Sequence, residues 1–134
     1  MASVSAFTGD VKALIYQRAK GRCDRCGLPT GDAMHFHHRT PRRAGGSSRE
    51  DLGLPSNGLL LHPNCHDFIE SRRKVAAQLG FLVGYGSLPN LTPVMTWRGW
   101  VILNDDGTVT PLDGVPPLRP VDGGVVEVDA GTAT

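Results

Sequence analysis

The sequence predicts a small α+β fold held together by cross-linking more than by a large apolar core, and three observations point there. Apolar residues recur at helical spacing over 10–20 and 63–79, and short runs of strand length lie at 33–38 and 58–61. Gly and Pro make up 27 of the 134 residues, so much of the backbone is committed to turns. All five histidines and all three cysteines fall between Cys23 and His66. Side chains scattered for packing would not bunch so, and both types are soft metal ligands.

Taken in order, residues 1–9 are small and polar and are expected to be flexible. From Asp10 to Lys20, Val11, Leu14, Ile15 and Ala19 form one apolar stripe, with Thr8 or Asp10 as N-cap and Gly21 as the stop. Residues 33–38 and Gly58–Leu61 are the two strands, joined by a loop over 39–56. Pro63 suits the first turn of a helix expected to run to Leu79 and end at Gly80, with Phe68, Ile69, Val75, Ala76 and Leu79 inward. Residues 10–80 thus form one unit. Over 81–112, Gly84, Gly86, Pro89 and Pro93 mark a linker, followed by a β-hairpin of Met95–Leu103 and Thr108–Leu112 around Asn104–Gly107. Residues 113–134 read as a flexible tail.

The net charge of +1 conceals an asymmetry. Residues 1–74 hold 12 Lys/Arg against 7 Asp/Glu, a balance of +5; residues 75–134 hold 2 against 6, a balance of −4. A basic half around the ligand cluster suits a polyanion. Three cysteines cannot all pair within the chain, so reduced thiols in the cytoplasm are expected. Neither a signal peptide nor a membrane span is expected, since the first 25 residues lack a basic stretch followed by an apolar run and no 18 consecutive residues are apolar.

The ligands sort into two sets. Cys23-x-x-Cys26 and His62-x-x-Cys65, with 35 residues between them, give four donors, the complement of a structural Zn2+ tetrahedron. His35, His37, His38 and His66 remain, with Asn57 between them in the chain. The run His37-His38-Arg39, Asn57-Gly-Leu-Leu-Leu61 and His62-Pro-Asn-Cys65-His66, preceded by Cys23-x-x-Cys26, resembles the HNH endonucleases over about residues 10–80. Histidine at 62, where these proteins often carry cysteine, is a mild departure.

The resemblance implies a ββα-metal module cutting DNA. His38 would be the general base, His37 and His66 would hold a catalytic divalent cation (Mg2+, Mn2+, Ni2+ or Zn2+), and Asn57 would bond the connecting loop and orient the base. Glu70, one helical turn after His66, could be a third ligand, reach the metal through water or pair with Lys74, with the last two favoured over direct ligation, and His35 shares the strand face of His37. Arg39, Arg42, Arg43, Arg72 and Arg73 are the expected phosphate contacts, with no base-reading element evident. Small phage-borne members of the family look like this chain, which implies the cytoplasm of a bacterial host. Two other readings stand beside the nuclease: a zinc-stapled nucleic-acid-binding module without catalysis, and a partner-dependent subunit of a phage DNA-packaging terminase.

Overall fold

The structure, a computed structural model, describes residues 6–42 and 49–116, and beyond them only the backbone of the short strands Pro120–Val121 and Gly124–Val125. Arg43 and most of the expected tail over 113–134 therefore lie outside the described residues. Helix α1 spans Gly9–Ala19. Thr8 caps it, its hydroxyl accepting from the Val11 amide, and Lys20 ends it in the left-handed region. Ile15 and Ala19 are buried as expected, whereas Leu14 is exposed and the stripe includes a buried Arg18.

Strands β1 (His35–His38) and β2 (Gly58–Leu61) pair antiparallel, His35 opposite Leu61 and His38 opposite Gly58. Side chains alternate across the sheet. Leu60 and Phe36 join Ile15, Ala19 and Phe7 on the α1 side, while Leu59 and Leu61 join Cys65, Ile69 and Phe81 on the other. Gly58 is required by this packing, since a Cβ there would lie 2.3 Å from Ile15 Cδ1 and 3.0 Å from Phe7 Cζ.

The helix expected over Pro63–Leu79 is two: α2 (Pro63–Ser71) and α3 (Arg73–Gln78), broken at Arg72, which has φ −129° and ψ 58°. The Phe68 carbonyl accepts both the Arg72 amide at 2.9 Å and the Ser71 hydroxyl at 3.2 Å, which closes the last turn of α2. Gly80, at φ +82°, closes α3, and a Cβ there would meet the Pro93 carbonyl at 2.0 Å. The expected first hairpin strand also divides. β3 (Val94–Thr96) and β4 (Gly99–Leu103) are separated by Trp97-Arg98, where the Thr96 hydroxyl donates to the Gly99 carbonyl and accepts from the Arg98 amide. β5 (Val109–Pro111) then pairs with β4 across the expected Asn104–Gly107 turn, completing a three-stranded meander.

Residues 81–93, whose sequence reads as a linker, are packed at both ends, around Phe81–Val83 and at Pro89 and Thr92, while Leu88 and Leu91 are exposed. Phe81, Leu82 and Val83 are buried, and Val94, Trp100, Val101 and Leu103 share one core cluster with Leu59, Leu61 and Ile69. Arg39 is the tie. Expected to meet phosphate, it is instead fully buried. Its guanidinium donates to the carbonyls of Gly80 (2.9 Å), Ser56 (2.9 Å), Pro89 (3.0 Å) and Thr92 (2.8 Å). A planar five-donor fork can reach several carbonyls at once, which a lysine ammonium cannot copy. Both Arg39→Ala and Arg39→Lys should therefore lower stability, the alanine by at least about 3 kcal/mol because buried carbonyls lose their donors. Denaturant unfolding of the purified variants checks this.

Candidate active site and metal centre

The first cluster is built where the knuckle docks on β2. The Asp24 amide donates to the Leu60 carbonyl at 2.7 Å, and the Asp24 carboxylate accepts from the Leu60 amide at 2.8 Å. That carboxylate is buried against Arg18 at 3.2 Å, and Arg18 also donates to the Pro55 and Gly58 carbonyls. The Cys23–Gly27 turn, closed by the Gly27 amide on the Cys23 carbonyl, is thereby fixed beside the start of α2. Ligand atoms of Cys23, Cys26, His62 and Cys65 all lie within 4.8 Å of one another. His62 donates its Nε2–H to the Pro29 carbonyl at 2.8 Å, which leaves Nδ1, 3.2 Å from Cys26 Sγ, as its ligand nitrogen.

The electrostatics of the thiols fit a dication. Burial pushes the Cys23 thiol up, but bonds from the backbone at Cys26, His62 and Arg25 outweigh it and bring the group below its ordinary value. Cys65 is pushed up to about 11, first by burial and then by the neighbouring cysteines. Three thiolates packed with one imidazole are mutually repulsive until a cation of charge two joins them. The Cys3His cluster can hold a metal ion, and its donor set is that of zinc.

The second cluster uses the other side of α2. His37 is buried and faces α2 from β1; ligand atoms of His37, His66 and Glu70 lie within 4.8 Å of one another. His37 donates Nε2–H to the Phe81 carbonyl at 2.9 Å, so Nδ1 keeps its lone pair. Burial, followed by the charges of His66, His38 and Arg39, lowers its pKa to about 4 despite the Phe81 bond. His66 Nε2 stands 3.9 Å from Glu70 Oε1, while Glu70 Oε2 accepts from Arg73 at 2.9 Å. The carboxylate thus pairs with Arg73 where the sequence suggested Lys74.

His38 points to the opposite face of β1 and stacks on Phe7, with ring centroids 3.8 Å apart and planes 6° apart. Since β1 pairs only with β2, its other edge is open among the described residues. A cleft of about 450 Å³ along that edge is lined by His38 from one face and His35 from the other, together with His66, Lys12 and Arg42. Asn57, fully buried, donates to the Thr40 and Leu52 carbonyls and accepts from the Thr40 amide at 2.8 Å; it holds the loop that follows His38. Arg42, Arg72 and Arg73 are exposed. Sequence reasoning gave no hint of Phe7 or of the Arg18–Asp24 pair; Glu70 was legible as a candidate through its i,i+4 step from His66.

Two expectations follow. The purified chain should carry one equivalent of zinc by metal analysis, and Cys23→Ser should lose both that zinc and cooperative unfolding. His37, neutral in the fold at a pKa of about 4 and ordinarily near 6.5, contributes stability that is complete above pH 6.5 and lost as pH falls towards 4. This window should span on the order of 3 kcal/mol. It should appear as the difference between wild type and His37→Asn in pH-dependent denaturation, and be absent from the variant's own profile.

Among the described residues no helix is long and apolar enough to cross a membrane. No curated protein and no solved structure gives a significant match to the chain. Residues 23–72, which run from the first zinc-type cysteine through α2, match the model of the HNH endonuclease family. This stretch, with its paired strands, the following helix and the Cys3His cluster, is similar to the HNH endonuclease domain and consistent with a zinc-stapled module of that kind.

Proposed function

We propose that the protein is a metal-dependent DNA endonuclease hydrolysing phosphodiester bonds at the cleft along the edge of β1. The observation that carries this reading is the meeting of His38 and His66 at one cleft, where His66 also belongs to a three-ligand set with His37 and Glu70. A non-catalytic zinc module has no use for a second ligand set opening beside a histidine.

The residues divide the work by chemistry. His37, His66 and Glu70 would hold a divalent cation; their mixed nitrogen and oxygen donors suit Mn2+, Ni2+ or Zn2+ and admit Mg2+ with water ligands. That ion, when bound, would offset charge on the scissile phosphate and on the leaving 3′ oxygen. His38 takes a proton from the attacking water as its oxygen bonds to phosphorus and the bond to the 3′ oxygen breaks. The stack on Phe7 fixes the plane of the base. Asn57 acts through the loop and does not touch the reacting atoms; it is a positioning residue. Arg42 in the cleft, with Arg72 and Arg73 on α2–α3, offers the phosphate contacts, and Arg39 is withdrawn from that set.

Supercoiled plasmid incubated with EDTA-treated protein and added Mg2+, Mn2+, Ni2+ or Zn2+ tests the proposal. Wild type should nick in a cation-dependent way, and His38→Ala should lose roughly two to four orders of magnitude in rate with its zinc content unchanged. DNA binding without cleavage under every cation would replace the nuclease with a binding module.

A further inference from the structure

The two buried or half-buried ligand imidazoles described above share one device. His62 gives its Nε2–H to the Pro29 carbonyl and His37 gives its Nε2–H to the Phe81 carbonyl, so each presents Nδ1 as a lone pair. A carbonyl can only accept, which makes the tautomer of both rings unambiguous. His66 is placed differently. Its Nε2 faces Glu70, and its Nδ1 meets no carbonyl but the Nδ1 of His35, 3.0 Å away. The two rings stand edge to face, with centroids 5.1 Å apart and planes 84° apart. Two imidazole nitrogens at that distance hold one hydrogen between them, and the choice of donor decides what His66 offers on its far side.

We infer that His35 is a positioning residue that fixes the tautomer of His66. His35 accepts at Nδ1, His66 donates Nδ1–H, and the Nε2 lone pair of His66 is thereby aimed at the space shared with His37 and Glu70. Without this acceptor the ring takes the Nε2–H form that a histidine side chain ordinarily favours in water, and a hydrogen points where a cation must sit. His35 stands outside the three-residue ligand set and acts on it through His66. Partners of this kind orient metal-binding histidines and raise their basicity, and removing one weakens metal affinity by about 10–100-fold. The alternation of β1 supplies the geometry. His35 and His37 lie two residues apart on the face turned to α2, so both rings reach His66, at 5.1 Å and 5.0 Å between centroids.

The inference rests on the proposed second cation site and is tested without cleavage. Long-range 1H–15N spectra of the full chain, zinc-replete in its Cys3His cluster and free of other metal, report which ring nitrogen of His66 carries hydrogen. Wild type should show Nδ1–H, and His35→Phe, which keeps an aromatic ring but has no acceptor, should show Nε2–H. His35→Asn places an amide oxygen where Nδ1 was and should retain Nδ1–H. Calorimetric titration with Mn2+ should give affinity weakened by about 10–100-fold in His35→Phe and largely restored in His35→Asn. An Nε2–H form in wild type, or the same tautomer in wild type and His35→Phe, overturns the inference. Equal loss of Mn2+ affinity in both variants with the tautomer unchanged also overturns it, by placing His35 among the ligands. If wild type takes up no Mn2+, the cation site fails and the tautomer spectra still decide the His35–His66 relation.

Discussion

A buried guanidinium governs this structure. Arg39 follows His38 directly, and its side chain draws the carbonyls of Ser56, Gly80, Pro89 and Thr92 to one plane. Its backbone is held as firmly: the amide donates to the Asn57 carbonyl and the carbonyl accepts from the Val83 amide. Removing a guanidinium from water is costly, and several well-directed carbonyl dipoles are what offset such a cost. The consequence is geometric. The end of β1, the approach to β2, the end of α3 and the entry to the meander all meet at one side chain, so His37 and His38 are placed by the whole domain and not by a four-residue strand alone.

The Cys3His cluster does for α2 what Arg39 does for β1. Cys65 and His66 are consecutive, so on a helix their side chains point about 100° apart. An ion gripping Cys65 fixes the rotation of α2 about its axis, and with it the direction in which His66 and Glu70 project. The Asp24–Arg18 pair sets the other end of that grip by binding the knuckle to β2 through two bonds at Leu60. The metal centre is therefore a structural element of the candidate active site as well as a staple between distant segments.

What the sequence made legible follows from local physics. Thr8, Pro63, Gly80 and the Asn104–Gly107 turn act over a few residues, and each stands where the spacing put it. The two ligand knuckles were legible because metal geometry demands fixed spacing. Arg39 was not. In sequence it is one arginine among Arg42, Arg43 and Arg49, and nothing local separates a cation that faces solvent from one enclosed by segments 41 and 53 residues away. The packed bridge was hidden for the same reason, because Phe81-Leu-Val83 becomes core only once the meander folds back over β2. The break at Arg72 was hidden because the apolar periodicity runs on through it and does not register a change of backbone conformation at one residue.

Adjacent histidines on a strand pose a problem that a wide sheet could not solve, since one would face each side of an impassable layer. Here the layer has two strands and an open edge, and the cleft runs along that edge, reaching His38 from the α1 face and His35 from the α2 face. Phe7 closes the α1 side by lying flat on His38 over Gly58, the position where any Cβ would collide with Phe7 and Ile15. Glycine opposite His38 is thus part of how that ring is held, although it carries no chemistry. On the other face, His37 is enclosed and kept neutral by burial, while His66 remains half exposed beside Glu70. The arrangement leaves His38 at the cleft and gives His37 a free Nδ1 lone pair on the opposite face of the same short strand. It requires β1 to stay unpaired on its outer side, and the shortness of that strand, four residues, is what lets the edge remain open without inviting a further strand.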